Sequence, residues 1–325
     1  MIDDDVQGWA GTRRWVEGVL APGERIARVE ALKGGWTSRM RRLDVEPADG
    51  DGGGAGAGYS LVLRSFVKPF YLRHAPALLE REAGVLRLLA GGTVPAARLR
   101  AVDARGGHGG HPSLLMTHLS GTVRVEQDGE VARRVELLAA QLAAVHAVRV
   151  PEGLRPRAWQ AWTSPERVRV PAATARPGLW ARAVEVIGRP APAHRGCFLH
   201  RDFHPGNVLF TGHGEQLAVS GVVDWVETSW GPADLDVAHC CTALALLHGV
   251  ETGMAFADAY ERAGGVLSAR GPGHLYWRLL DALAFAPDAE KVAVPWRELG
   301  RTDLDAHLLA ERLEDYLRAL FERYA

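Results

Sequence analysis

The sequence is poor in cysteine and in lysine, and each shortage narrows what the protein can do. Its three cysteines, Cys197, Cys240 and Cys241, are too few and too unevenly spaced for a disulfide framework or a thiolate zinc site. Neighbouring cysteines also rarely bridge each other. Only three of the 38 basic residues are lysines, so chemistry that depends on a lysine has few candidates.

The chain also lacks a long apolar run and a strong net charge. No run approaches the roughly 20 residues that cross a bilayer, and the start, MIDDDVQGW, lacks the basic and apolar regions of a signal peptide. A net charge of −1 with a pI near 6.9 provides no field for a nucleic-acid backbone or an anionic membrane. We therefore expect a cytoplasmic monomer or homodimer whose partner is a small molecule, not nucleic acid or a membrane.

What the sequence does contain is enough apolar material for more than one core. Of its 325 residues 47% are hydrophobic, and a chain of this length usually exceeds one core. Strand patterns and a helix at residues 76–90 dominate the first part, whereas helical periodicity dominates from residue 130 onwards. The strand over residues 59–67 has side chains that alternate between two faces. The patterns predict an α+β protein divided into residues 1–118 and 119–325.

The segment FLHRDFHPGNVLF, residues 198–210, places two histidines, an arginine, an aspartate and an asparagine between two short apolar runs. Its apolar ends predict two short strands, and Pro205 and Gly206 predict a turn that brings Asn207 back beside Asp202. A later apolar strand leads directly into Asp224. Asp202, Asn207 and Asp224 would form an oxygen-rich set without thiolates, which suits a hard cation such as Mg2+.

The octapeptide HRDFHPGN matches the H-R-D-x-x-x-x-N pattern of kinase catalytic loops. Together with AVSGVVDWVETSWGPADLDVAH, it more closely resembles the aminoglycoside phosphotransferase and choline-kinase-like family. No activation loop or A-P-E run follows Asp224, which argues against a protein kinase. The resemblance implies a bilobed protein-kinase-like fold, with a β-sheet N-terminal lobe that carries a helix and a larger, mainly helical C-terminal lobe.

The resemblance also implies a role for each matched polar residue. Asp202 would accept the proton of the substrate hydroxyl, and Asn207 and Asp224 would hold Mg2+. His200 would orient the loop, and Asp236 would brace it from the following helix. The motif assigns no firm role to Arg201 or to His204, for which substrate contact and packing are both open.

A nucleotide-binding set is implied in the first part of the chain, residues 1–118. In LKGGWTS, Gly34 and Gly35 would let backbone N–H groups approach the phosphates, with Ser38 as a further donor. Arg64 stands where the family more often has a lysine that binds the α- and β-phosphates, and Glu82 would be its partner. Arginine and lysine are not interchangeable at such a site.

The segment LLMTHLSG resembles the hinge of the family. Met116 would line the adenine, and the backbone groups of Thr117, His118 and Leu119 would bond to its edge. The nucleotide is expected to be ATP or GTP.

The sequence therefore predicts an ATP-dependent O-phosphotransferase that moves the γ-phosphoryl group to a small-molecule hydroxyl, first of all on an aminoglycoside or another antibiotic. The second hypothesis is a kinase of a small hydroxyl metabolite, choline-like or a sugar. The remaining hypotheses are a catalytically silent nucleotide-binding pseudokinase and a metal-dependent hydrolase. The hydrolase would bind zinc or iron through His200, Asp202 and His204, with Asp224 bridging. Four carboxylates are candidates for facing a cationic amino sugar: Glu227, Asp281, Asp288 and Glu290.

Overall fold

The computed structural model describes residues 6–32, 38–47, 58–108, 110–268 and 271–325. The chain forms two compact units, residues 1–92 with 96–119, and residues 93–95 with 120–325. The first is built on an antiparallel sheet and the second is mainly helical, which confirms the predicted α+β class. The glycine turn at Gly34 and Gly35 lies outside the described residues.

The first unit is a five-stranded antiparallel sheet with helices. Its strands are β1 (Glu24–Ala31), β2 (Arg39–Pro47), β3 (Tyr59–Ser65), β4 (Leu99–Asp103) and β5 (Ser113–Thr117). Its helices are α1 (Val6–Val19), α2 (Pro69–Leu72) and α3 (Ala75–Leu89). The strand order is β1-β2-β3-β5-β4, and each neighbouring pair is antiparallel.

Strand β3 is covered on both faces. Leu61 and Leu63 pack on one face in a cluster that includes Val16 of α1. On the other face Arg64 is buried and pairs with Glu82 of α3. The side chains alternate between the two faces of the strand, as predicted. Both faces are buried because helices lie on both sides of the strand, and one face is apolar while the other contains the ion pair.

The second unit surrounds short strands with helices. Its strands are β6 (Thr122–Val123), β7 (Gly196–Leu199), β8 (Val208–Thr211), β9 (Ala218–Val222) and β10 (Ser229–Pro232). Its helices are α4 (Val131–His146), α5 (Pro177–Ile187), α6 (Asp234–His248), α7 (Val250–Arg262), α8 (Pro272–Ala282), α9 (Glu290–Glu298) and α10 (Ala306–Tyr324). Strands β6, β8 and β9 form one antiparallel sheet, and β7 pairs with β10. Nowhere in the described ranges is a helix long and apolar enough to cross a bilayer.

Helix α6 is the centre of the second unit. Its residues from Asp234 to Leu247 are all buried, and it packs against α7, α8 and α10. The approach of α7 is so close that a Cβ atom at Gly253 would lie 2.5 Å from the carbonyl oxygen of Cys241. Burial raises the pKa of both Cys240 and Cys241, which keeps these thiols in the unreactive protonated form.

Candidate active site

The polar part of the segment 198–210 is a loop held between two strands, as the apolar ends of the segment predict. Strand β7 ends at Leu199 and strand β8 begins at Val208. Phe198 and Leu199, just before the loop, and Phe203, in its middle, are fully buried. Apolar contacts therefore hold the loop in place at both positions. The polar groups between them therefore lie on a rigid frame, as is common at functional sites.

The turn at Pro205 and Gly206 brings Asn207 against Asp202, which confirms the predicted contact. A single 3-10 turn covers Pro205–Asn207. The amide nitrogen Nδ2 of Asn207 donates to the carboxylate oxygen Oδ2 of Asp202 and to its backbone oxygen, both at 2.9 Å. Glycine is needed in this turn, because a Cβ atom at Gly206 would lie 2.7 Å from Cε1 of His204.

His200 connects the loop to the end of strand β9. Its Nε2–H donates to the backbone oxygen of Val223 at 2.9 Å, and its Nδ1 accepts from the backbone N–H of Asp202 at 3.2 Å. The ring packs on Trp225, with 4.4 Å between the centroids. Burial lowers the pKa of His200, so the neutral ring, with both nitrogens occupied, orients the loop.

Asp236 braces the loop from the first turn of α6, as expected. Its two carboxylate oxygens accept hydrogen bonds from the backbone N–H groups of His200 and Arg201, each at 2.8 Å. Burial works to raise the pKa of this carboxyl, but the hydrogen bond from His146 and the nearby positive charges lower it overall. The brace holds Arg201 in the left-handed backbone region at φ 73°, which costs a non-glycine residue roughly 1–2 kcal/mol.

Asp224 follows β9 and is tied to the same loop through its neighbour. The backbone N–H of Val223 donates to the backbone oxygen of Asn207 at 3.0 Å, while the Val223 oxygen accepts from His200. Asp224 itself has φ 65° and ψ 66°, a left-handed conformation that aspartate tolerates better than most residues. His200, Asp202 and Asn207 are thus in direct contact, and Asp224 lies one residue beyond the backbone bonds that join β9 to them.

A histidine that sequence reasoning missed contacts the other oxygen of Asp202. Nε2 of His239, on α6, lies 3.2 Å from Oδ1 of Asp202, and Nδ1 lies 3.0 Å from Oδ1 of Asp281 on α8. The only available signal was spacing, because Asp236 and His239 stand three residues apart and so share one face of the helix. With Asn207 on Oδ2, both carboxylate oxygens of Asp202 contact a nitrogen.

These contacts set the charge states around Asp202. Burial works to lower the pKa of His239, but the carboxylates of Asp281 and Asp202 outweigh it and raise that pKa to about 10. Burial works to raise the pKa of Asp202, yet the hydrogen bond from His239 and the electrostatic effect of the neighbouring histidines lower it well below the usual range. Near neutral pH, Asp202 is therefore an ionised acceptor beside a protonated His239.

Arg201 and His204 are held by contacts within the second unit. Arg201 is buried, donates through Nη2 to the backbone oxygen of Gln160 at 2.8 Å and stacks over Trp162 at 4.4 Å. Nδ1 of His204 accepts from the backbone N–H of Gly206 at 3.0 Å. Burial, more than any other effect, lowers the pKa of His204 to about 4. Arg201 thus packs the loop against residues 160–162.

The hydrogen bonds of the histidines argue against the zinc or iron site of the hydrolase hypothesis. Asp202, His204 and His239 have potential ligand atoms within 4.8 Å of one another. Nδ1 of His204 accepts from the backbone N–H of Gly206 and its Nε2 lies 3.2 Å from the amide nitrogen of Asn207, while His239 faces carboxylates with both nitrogens. His200, the other predicted ligand, uses both ring nitrogens inside the loop. A metal-bound histidine needs an unprotonated nitrogen directed at the metal, whereas each of these ring nitrogens already contacts a group within the site.

The first unit contains the predicted cation and its partner as a buried ion pair. Nη1 of Arg64 lies 3.1 Å from both carboxylate oxygens of Glu82, and Nε donates to Oγ of Ser38 at 3.1 Å. Arg64 is 4% exposed and Glu82 1% exposed. Strand β3, helix α3 and the start of β2 thus place these three side chains together.

The predicted hinge residues lie at the end of β5 and just after it. Met116 is buried, whereas Thr117, His118 and Leu119 are half-buried. The backbone N–H of Thr117 donates to Arg98, and that of His118 donates to Ser60. The backbone N–H groups of Thr117 and His118, two of the residues whose backbone groups were expected at the adenine edge, are therefore already bonded within the first unit.

The four carboxylates suggested for a cationic amino sugar are engaged elsewhere or only half-buried. Asp281 is 5% exposed and bonds to His239, so the expectation that it faces a substrate is wrong. Glu227 pairs with Arg157, and Glu290 pairs with Arg297. Asp288 is half-buried and accepts from the backbone N–H of Glu290.

Both the sequence and the fold of the chain are similar to those of known proteins. The sequence profile of the phosphotransferase enzyme family matches residues 28–280. A search of curated proteins finds no significant match. Among solved structures, a protein from Ralstonia eutropha JMP134 aligns with a TM-score of 0.61 at 16% identity, over 97% of both chains.

Two further solved structures are of phosphotransferases that act on antibiotics. Aminoglycoside phosphotransferase APH(4)-Ia aligns with a TM-score of 0.58 at 18% identity, over 96% of this chain and 99% of its own. Macrolide 2'-phosphotransferase type I aligns with a TM-score of 0.55 at 19% identity, over 95% and 97%. A thermostable mutant of APH(4)-Ia was crystallised as a ternary complex with AMP-PNP and hygromycin B. The profile match covers more than half of the chain, and the protein therefore belongs to the phosphotransferase enzyme family and is a small-molecule phosphotransferase.

Proposed function

We propose that this protein transfers the γ-phosphoryl group of ATP to a hydroxyl group of a small molecule, with Asp202 as the residue that receives the hydroxyl. The observation that carries the proposal is the position of Asp202. Its side chain is 31% exposed, yet both carboxylate oxygens are oriented by nitrogens of Asn207 and His239. An ionised, fixed and accessible carboxylate is what alignment of an acceptor hydroxyl requires.

The residues fit a magnesium ion better than a transition metal. Asn207 uses its amide nitrogen on Asp202, which leaves its amide oxygen Oδ1 as the atom for a cation. Asp224, one residue beyond the bond between Val223 and Asn207, supplies a carboxylate. Oxygen ligands without thiolates suit Mg2+. When bound, Mg2+ would neutralise charge on the phosphates of the nucleotide.

Arg64 and Glu82 are proposed to serve the nucleotide phosphates. Glu82 fixes one end of the guanidinium and Ser38 fixes Nε, so the cation is preorganised and loses little freedom on binding. Gly34 and Gly35 remain the predicted phosphate turn. At the adenine edge Leu119 becomes the principal N–H candidate, because Thr117 and His118 donate inside the first unit.

Chemistry at the acceptor then depends on positioning and charge. Asp202 accepts a hydrogen bond from the hydroxyl, aligns its oxygen for attack and takes the proton as the new oxygen–phosphorus bond forms, while the bond from the γ-phosphorus to the β–γ bridging oxygen breaks and ADP leaves. His200 and Asp236 hold the backbone of the loop, so the carboxylate does not reorient during the reaction. ATP is proposed as donor because a related structure contains AMP-PNP; GTP is the alternative.

An antibiotic is proposed as the acceptor, because solved relatives include aminoglycoside and macrolide phosphotransferases. The burial of Asp281 removes one of the carboxylates expected to select an amino sugar. Aminoglycosides are therefore not favoured over macrolides as the proposed acceptor. A small hydroxyl metabolite is the second candidate.

The test is an ATP- and Mg2+-dependent phosphate-transfer assay on a panel of aminoglycosides, macrolides, peptide antibiotics and small hydroxyl metabolites, repeated with GTP. Asp202→Ala should abolish transfer while nucleotide binding, measured by calorimetry, persists. Asp258→Asn, which changes an exposed aspartate on α7, is the matched control and should retain activity. Full transfer by Asp202→Ala would refute the mechanism, and ATP binding without transfer to any acceptor would favour the pseudokinase.

A further inference from the structure

The contact between His239 and Asp202 joins three residues from separate elements. His239 lies on α6, Asp202 in the His200–Asn207 loop, and Asp281 on α8. The side chains of His239 and Asp281 are 6% and 3% exposed. A charged group at such depth is retained only when it is paired, and this imidazole has one carboxylate at each nitrogen.

Hydrogen-bond geometry determines the protonation of the ring. A neutral imidazole has one N–H and one acceptor nitrogen, whereas an ionised carboxylate can only accept. His239 faces a carboxylate oxygen at 3.2 Å from Nε2 and another at 3.0 Å from Nδ1. Both contacts are satisfied only by the imidazolium form, in which both nitrogens donate.

Aromatic neighbours fix the plane of the ring. Phe285 stacks on His239 with 5.7 Å between centroids, and Trp162 contacts it edge-on at 4.9 Å. The titratable groups that face the ring are Asp202 and His204 from the loop and Asp281 from α8. Since the ring cannot rotate freely, the direction of Nε2–H is fixed, and so is the carboxylate oxygen that accepts from it.

We propose that His239 is a positioning residue for phosphoryl transfer: as an imidazolium held by Asp281, it fixes one oxygen of Asp202 while Asn207 fixes the other. The proposal rests on the function proposed above for Asp202. It assigns Asp281 to the support of the site, in place of the substrate contact expected from sequence. Each carboxylate oxygen keeps a further lone pair for the acceptor hydroxyl.

The kinetic test uses His239→Gln in the full-length protein with the best acceptor of the panel. Glutamine donates to only one carboxylate and lacks the charge, so Asp202 loses its fixed direction. A misplacement of about 1 Å in such a site costs on the order of 100-fold in rate. We expect a fall of that size in kcat, with the KM for ATP unchanged. Asp281→Asn should give a smaller fall, because the ring remains but its charge is less favoured.

The matched control is His248→Gln, at the other end of the same helix. His248 bonds to Gln127 and lies away from Asp202, so kcat should be unchanged. Circular dichroism and thermal unfolding establish that each variant is folded. A folded His239→Gln with the kcat of the unmodified protein overturns the proposal.

A second measurement does not depend on activity. Two-dimensional 1H–15N NMR of the imidazole rings near pH 8 should show one ring protonated at both nitrogens, absent from His239→Gln and neutral in Asp281→Asn. A neutral His239 in the unmodified protein overturns the proposal even if transfer is found. If no acceptor in the panel is phosphorylated, the proposed function fails, and the NMR spectrum still decides whether the imidazolium contact exists.

Discussion

Replacement of Asp236 by asparagine tests whether one buried carboxylate holds the catalytic loop. Both of its oxygens accept backbone N–H groups at 2.8 Å, from His200 and Arg201. Asparagine keeps one acceptor oxygen and turns an NH2 group towards the other N–H. A hydrogen bond to a charged group contributes about 1.5–3 kcal/mol, and a buried donor without a partner costs about 1–3 kcal/mol. We therefore expect Asp236→Asn to lower the free energy of unfolding by about 2–3 kcal/mol.

Asp234→Asn is the matched control, two residues earlier on the same helix. Asp234 is equally buried, but it accepts one backbone N–H, from Ser268 at 2.9 Å, and burial raises its pKa. An amide oxygen can keep that bond, so the loss of stability should stay below about 1 kcal/mol. Urea unfolding followed by tryptophan fluorescence measures both variants.

Amide hydrogen exchange locates the effect. In Asp236→Asn the backbone N–H groups of His200 and Arg201 should lose protection, whereas that of Ser268 should not. Phosphate transfer should fall together with this protection. If Asp236→Asn is as stable as Asp234→Asn and both amides stay protected, the carboxylate is not the brace of the loop.

Two other predictions concern buried charge. Arg64→Ala leaves Glu82 buried without its cation and should destabilise the protein by about 3–5 kcal/mol. Arg64→Lys should keep most of that stability. It should nevertheless weaken ATP binding in calorimetry, because an ammonium cannot replace the planar guanidinium. Equal ATP affinity in Arg64→Lys would contradict a phosphate-binding role. Since the pKa of His239 is raised to about 10, its ion pairs stabilise the fold fully below the ordinary histidine pKa of about 6.5 and lose that effect as the pH rises towards 10. The thermal midpoint should fall over this range more steeply than in His239→Gln, and parallel pH curves for the two proteins would contradict the assignment.

The catalytic loop could be predicted because its information is local. HRDFHPGN places the turn formers, the carboxylate and the amide within eight residues, so the contact of Asn207 with Asp202 follows from chain geometry alone. The apolar stripe of α3 is equally local: its residues Leu79, Ala83 and Leu86, spaced as on one helix face, are buried. The helical periodicity predicted from residue 130 onwards likewise agrees with the start of α4 at Val131.

The support of Asp202 could not be predicted because it depends on contacts between distant elements. Asp281 is 79 residues from Asp202 in the sequence, and only the packing of α8 on α6 makes it a partner of His239. A carboxylate on a helix is usually solvated, so sequence pattern assigned it to the substrate instead. For the same reason the two buried faces of β3 were not apparent, since its covering helices are separate segments of the chain.

The complete burial of α6 has a consequence for how this protein can evolve. The helix presents no solvent-facing side from Asp234 to Leu247, and it carries both the brace Asp236 and the positioning residue His239. Almost any substitution along it disturbs close packing or catalysis, so few neutral mutations are possible in this segment. Neutral substitutions should instead accumulate in exposed parts of the second unit, such as residues 151–155. Preservation of the loop's support and tolerance of substitution are thereby assigned to different stretches of one chain.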